Sequence, residues 1–281
     1  MSVPTLRRMS DRPSVAILGA GAIGEVLAGG LLRAGWDSSE ISLAERSEER
    51  RREVEAATGI AALLDPTAAT SDRKVVVVAV KPGDVPRLIE QIAGSLTTDQ
   101  IVVSLAAGVP CATYEAALGK TPVVRAMPNT PAQIDEGVTA LAHGAFADDE
   151  AMALASSVLG AVGKVVVLDE ELLDAVTAVS GTGPAYVFIL AEAMLEAAIR
   201  EGLPRHAATT LVEQTIRGAG MLMAQVELSP AELRAQVTSP GGTTAAAIHL
   251  LEERGFRALV EDAVRAAAER SRQLGTQASG E

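Results

Sequence analysis

The sequence is short of the residues on which most reactive chemistry depends. It has a single cysteine, Cys111, three histidines (His143, His206 and His249), and aromatics amounting to 2% of its 281 residues. One cysteine excludes an intrachain disulfide framework and every Cys-x-x-Cys metal or redox motif. Three widely spaced histidines argue against a zinc cluster, and so few rings leave no stacking platform for bases. Positive charge is scarce too: 24 basic against 36 acidic residues give a formal charge of −12, with acid in excess on both sides of residue 168. Nucleic acid and anionic membrane are therefore disfavoured as partners. The most apolar later stretch, 185–199, carries Glu192 and Glu196 and follows the Gly181–Pro184 break. It falls short of the roughly 20 uninterrupted residues a membrane span needs. Residues 1–13 lead into no signal-peptide core, so a cytoplasmic protein is expected.

What is present is a clear periodicity. Apolar runs at 14–18, 41–45, 75–80, 101–106, 123–127, 138–141 and 165–168 read as strands, with helices at 22–34, 48–57, 85–93, 111–118 and 149–159 between several of them. Val75–Val80 has no alternation, as a strand covered on both faces requires. This order predicts a doubly wound α/β domain over residues 1–168. Beyond it the strand signal stops, and 169–281 reads as all helical, with Ser229-Pro230 and Glu232 marking a helix start and Gly255 a helix end. The helix 185–199 is apolar nearly all round and must be covered, which a dimer core does more easily than a small domain alone.

Gly19-Ala20-Gly21-Ala22-Ile23-Gly24 follows the first strand and opens a helix. Alone, such a turn is no more than a helix-packing device. Placed between a strand and a helix, with an acid ending the next strand, it reads as a dinucleotide site. Gly19 permits the turn, Gly21 admits the pyrophosphate and Gly24 lets helix and strand approach. Free amides at the helix start and the helix dipole hold the anion. Glu45 at the end of the second strand favours NAD through a ribose hydroxyl, whereas Arg46 and Ser47 suit the 2′-phosphate of NADP; both readings stay open. Ala79, Lys81 and Pro82 end another strand on the ligand side of the sheet. Ala106 and Ala107 are small enough for a flat ring to approach.

A second glycine-rich segment, Val237-Thr238-Ser239-Pro240-Gly241-Gly242-Thr243-Thr244, links two helices and suits a carboxylate, or is simply an interhelical loop. Together with Ala79-Val80-Lys81-Pro82, Arg125-Ala126-Met127-Pro128-Asn129-Thr130-Pro131 and the stretch from Asp174 to Tyr186, it resembles pyrroline-5-carboxylate reductase over nearly the whole chain. That resemblance implies a Rossmann domain followed by a helical dimerisation domain, dimers that assemble further into decamers, and NADPH as cofactor with NADH as the alternative. It also implies reduction of Δ1-pyrroline-5-carboxylate to L-proline. Ser239, Gly242 and Thr243 match the carboxylate-holding loop, Thr244 the hydroxyl near the ring nitrogen, and Val237 an apolar wall. Gly19, Ala22, Ile23, Ala79, Lys81 and Pro82 match cofactor contacts, with Ala106, Ala107 and Asn129 bordering the same cleft. Glu45 before Arg46 departs from the family's usual small polar residue and Thr182 from its usual serine. A β-hydroxyacid dehydrogenase would need a lysine in the helical half, where there is none beyond Lys164. A non-catalytic nucleotide sensor would have no use for the second anion site.

Overall fold

The computed structural model describes residues 12–279. Its sheet has eight strands: β1 (Val15–Leu18), β2 (Ile41–Ala44), β3 (Ala62–Leu63), β4 (Val75–Val78), β5 (Ile101–Ser104), β6 (Val123–Met127), β7 (Gly137–His143) and β8 (Gly163–Val167). They lie in the order 3-2-1-4-5-6-7-8. Every residue of β1 and β4 is buried, and their side chains go alternately to the two faces. Val15 and Ile17 meet Leu27 and Leu31 of α1 (Ala22–Arg33), Val54 of α2 (Glu48–Thr58), and the core residues of a helix after β7. Ala16 and Leu18 join Leu88, Ile89 and Ile92 on the opposite face. Burying each such Leu or Ile contributes about 1.5–3 kcal/mol. Helices on both faces of a mainly parallel sheet make the doubly wound arrangement expected of the sequence.

Three features differ from that expectation. The pair β6–β7 is antiparallel, because the connection between them, the 3₁₀ turn Thr130–Ile134, is too short for a parallel crossover. β3 and the short helix α3 (Pro66–Thr70) have little periodicity of their own; Asp65 caps α3 by accepting the Thr67 amide at 2.9 Å. The remaining sheet-side helices are α4 (Val85–Ile92), α5 (Cys111–Leu118) and α6 (Asp149–Leu159), followed by α7 (Leu173–Val176).

By packing, the chain groups into two compact units. One runs to Gly181 and resumes at Ala267; the other is Thr182–Ala266. The sheet unit extends past β8 because Leu173 packs against Ala140 and Ala142 of β7, and Ser271 donates to Asp174 at 2.6 Å. The second unit contains α8 (Gly183–Arg200), α9 (Arg205–Gln225), α10 (Pro230–Gln236), α11 (Thr243–Glu253) and the start of α12 (Phe256–Ser279). Ser229 and Glu232 close the expected capping box at α10, and Gly255 takes a left-handed conformation, φ +72°, between α11 and α12. α8 has no buried residue, and Phe188 and Ile189 on it are 62% and 66% exposed. The expected Gly181–Pro184 break is seen as a bend at Thr182, between a π turn at Thr177–Gly181 and the start of α8. By length and composition alone, Glu170–Arg200 is long and apolar enough to pass for a membrane span.

Candidate active site

The strand order reverses between β1 and β4: β1 continues to β2 on one side, and β4 continues to β5 on the other. A crevice opens at the carboxyl ends of the strands on either side of such a point. Gly19 follows β1 directly, donating to Ala44 O at 2.8 Å, and Ala79 follows β4, donating to Leu18 O at 2.8 Å. Gly19 has φ +100°, and a Cβ on it would stand 2.8 Å from Val80 Cγ1 and 2.9 Å from the Ala79 carbonyl. A Cβ on Gly24 would collide with the Gly19 carbonyl oxygen. Gly21 is the opposite case. It caps α1 with extended backbone and no side-chain hydrogen bond, and a Cβ there would meet nothing within 4 Å. Two glycines thus hold the turn against the sheet, and the third leaves the helix start open for a diphosphate.

The cleft beside this turn has a volume of about 750 Å³. Gly19, Gly21, Glu45, Arg46, Ser47, Ala79 and Lys81 line it, bringing together residues chosen from sequence on three separate strand ends. Lys81 and Pro82 open the 3₁₀ turn Pro82–Asp84, with Lys81 as its N-cap, while Ala22, Ile23 and Gly24 form the first turn of α1. Sequence reasoning missed Asp84, Arg87 and Arg50, which also line the cleft. Their signal is weak, since charged residues beside a loop look like solvated surface. Arg50 donates through Nε to Ala20 O at 2.8 Å, and its guanidinium also reaches Glu25 and Glu53. Arg46 forms a two-pronged ion pair with Asp84, at 2.9 and 3.1 Å, and Arg87 donates to the same carboxylate at 3.1 Å.

Ala106 and Ala107 divide their roles. The Ala106 side chain is buried in the core, and Ala107 is exposed. The Ser104 hydroxyl lies 2.6 Å from the buried Tyr114 phenol and accepts the Ala106 amide at 3.3 Å, anchoring the loop. Asn129 has a bridging position: its Oδ1 accepts the Val138 amide at 2.9 Å and its Nδ2 donates to Ser180 O at 3.2 Å. Arg125 pairs with Glu170 at 3.2 Å, and Glu170 also accepts the Cys111 amide at 2.9 Å. Burial, reinforced by the charges of Glu170 and Glu115, pushes the Cys111 thiol up to about 12. The buried Cys111 thiol therefore stays protonated at neutral pH, which favours a packing role over a nucleophilic one.

The second glycine loop belongs to the helical unit. Gly241 has φ +70°, and the extended Gly242 caps α11 without a side-chain hydrogen bond, leaving the Thr243 and Thr244 amides in the first turn. The Gly242 amide donates to Ser239 O at 3.1 Å, and a Cβ on Gly242 would collide with the Ser239 hydroxyl. Val237 is 64% exposed at the entrance to the loop. Ser239, Gly242, Thr243 and Thr244 therefore share one tight turn into a helix N-terminus.

The family model for pyrroline-5-carboxylate reductase dimerisation matches residues 170–274, and that for NADP oxidoreductase, coenzyme F420-dependent, matches 14–108. The chain is 42% identical to pyrroline-5-carboxylate reductase of Pseudomonas aeruginosa, covering 94% of this chain and 98% of that one. It is also 42% identical to the Mycobacterium tuberculosis H37Rv reductase, covering 92% and 96%. Among solved structures, a Coxiella burnetii pyrroline-5-carboxylate reductase matches with a TM-score of 0.89 at 35% identity, over 94% of this chain and 99% of that one. A Plasmodium falciparum pyrroline carboxylate reductase with NADP bound matches with a TM-score of 0.83 at 26% identity, over 94% and 98%. Full-length similarity at this level, on a sheet and glycine turn built for a dinucleotide, places the chain in the pyrroline-5-carboxylate reductase family.

Proposed function

We propose that the protein reduces Δ1-pyrroline-5-carboxylate to L-proline, the last step of proline biosynthesis, using NADPH with NADH as the alternative. The observation that carries this reading is the bare start of α1 at the sheet's switch point, in a chain similar along its length to reductases of that name. The glycine cradle fits a dinucleotide: a side chain at Gly19 or Gly24 would force the turn away from its packing against Val80, Ala79 and the Gly19 carbonyl, and the space beside Gly21 is open. Gly19, Gly21, Ala22, Ile23 and Gly24 would hold the diphosphate, Arg46 and Ser47 the adenosine ribose on the loop that Glu45 fixes, and Ala79, Lys81, Pro82, Ala106, Ala107 and Asn129 the remaining border. When bound, the cofactor supplies the hydride.

The chain's own contribution is orientation. Ser239, Gly242 and Thr243 hold the substrate carboxylate at the α11 N-terminus, where amides and the helix dipole favour an anion. Val237 shields the ring, and the Thr244 hydroxyl hydrogen-bonds the ring nitrogen. The imine brings its proton from water, so the scarcity of histidine is no obstacle. Functionally, residues 1–168 serve the cofactor, and 169–281 serve the substrate and the dimer. The exposed Phe188 and Ile189 support a homodimer through the helices, with decamers of dimers as the larger assembly, in the cytoplasm.

Steady-state reduction of pyrroline-5-carboxylate with NADPH and NADH in parallel tests the reading; no turnover with either overturns it. Thr244→Ala should lower kcat about tenfold, equivalent to about 1.4 kcal/mol. A rate within about twofold of wild type would remove the hydroxyl from the mechanism.

A further inference from the structure

We infer that Asp84 sets the preference between a phosphorylated and an unphosphorylated adenosine ribose by competing for the arginines that would bind the phosphate. This rests on the cofactor reading above and adds a residue to it.

The end of β2 is where a dinucleotide's adenosine ribose is read, by an acid for a free 2′-hydroxyl or by a nearby arginine for a 2′-phosphate. Here the acid and the arginine both have partners. Glu45 spends one oxygen on the Ala20 amide and the other on the Ser47 amide, so it shapes the loop from within. Arg46 reaches across the cleft and presents its fork to both oxygens of Asp84. Arg87, one turn along at the start of α4, donates to the same carboxylate. All three residues line the one cleft. Arg50, the other cleft arginine, is committed to Ala20, Glu25 and Glu53. Of the cleft's arginines, Arg46 and Arg87 are therefore the two available to a 2′-phosphate, and Asp84 holds both.

A carboxylate and a phosphate ask the same thing of a guanidinium, two parallel N–H donors. A 2′-phosphate must take Arg46 from Asp84 or share it with a like charge close by. A ribose with a free 2′-hydroxyl meets neither demand. Asp84 thus lowers affinity for the phosphorylated ribose selectively and keeps the unphosphorylated cofactor usable.

The test is equilibrium binding by calorimetry of adenosine 2′,5′-bisphosphate and AMP, which differ at this position and need no turnover. In Asp84→Asn the affinity ratio of bisphosphate to AMP should rise fivefold or more over wild type, and Arg46→Leu added to it should cancel the gain. An unchanged or lowered ratio overturns the inference, the latter because Asp84 would then be preparing Arg46 for the phosphate. Wild-type protein binding neither nucleotide would instead sink the cofactor reading itself.

Discussion

The Glu45 carboxylate joins two loops, accepting the Ala20 amide at 3.1 Å through one oxygen and the Ser47 amide at 2.9 Å through the other. Ala20 lies between the glycines that form the turn, and Ser47 caps α2 by accepting the Arg50 amide at 3.3 Å. One side chain therefore fixes the relative position of the diphosphate cradle and the ribose loop. Glutamine at 45 keeps only one acceptor oxygen, so one loop is released whichever way the amide turns. Glu45→Gln should weaken NADH and NADPH alike, by about tenfold or more, in line with the roughly 1.5–3 kcal/mol of one hydrogen bond to a charged group. Fluorescence titration with each cofactor checks this; a loss confined to NADH would mean that Glu45 reads the ribose hydroxyl directly.

Much of the sheet was legible because a strand buried on both faces has no room for polar residues. Val75–Val78 and Ile101–Ser104 lie within their expected runs for that reason. β3 and α3 were not legible: two residues of strand and five of helix are too short for either period to show, and only Asp65 marks the helix start. The cradle could be read because glycine is demanded there by steric contact, as Gly24 against Gly19 illustrates. The arginine side of the cleft could not. Whether Arg46 is a solvated charge or a bound one depends on Asp84, far along the chain and brought near only by the β1–β4 pairing. Asn129 shows the limit from the other side, since its motif marks the site while its amide bridges Val138 and Ser180.

The Cys111 thiol offers a pH test of the core. Burial is the main cause of its shift from 9.0 to about 12, with Glu170 adding to it. In the unfolded chain the thiol ionises at its ordinary value; in the folded protein it must stay protonated. The stability it contributes is therefore complete below pH 9 and lost progressively between pH 9 and about 12. Iodoacetamide at pH 8.5 should label native protein at least about a hundredfold more slowly than urea-unfolded protein. Comparable rates would show that the thiol is exposed to solvent and ionised like a free one.

Gly108 and Gly275 bring the Ala107 loop and α12 close together. A Cβ on Gly108 would stand 3.1 Å from Gly275 Cα, and one on Gly275 would stand 3.2 Å from the Gly108 carbonyl oxygen. Either contact can be relieved by a shift of a few tenths of an ångström, but only Gly108 also has a left-handed backbone, φ +75°. Alanine at 108 therefore meets both crowding and about 1–2 kcal/mol of backbone strain, whereas alanine at 275 meets crowding alone. Gly108→Ala should lower the denaturation free energy by at least about 1 kcal/mol more than Gly275→Ala. Because the loop carries Ala107 beside the proposed nicotinamide position, Gly275→Ala should still lower kcat several-fold at nearly unchanged stability. Equal stability losses in the two variants would remove backbone strain from the account, and an unchanged kcat in Gly275→Ala would show that the loop holds its position without α12.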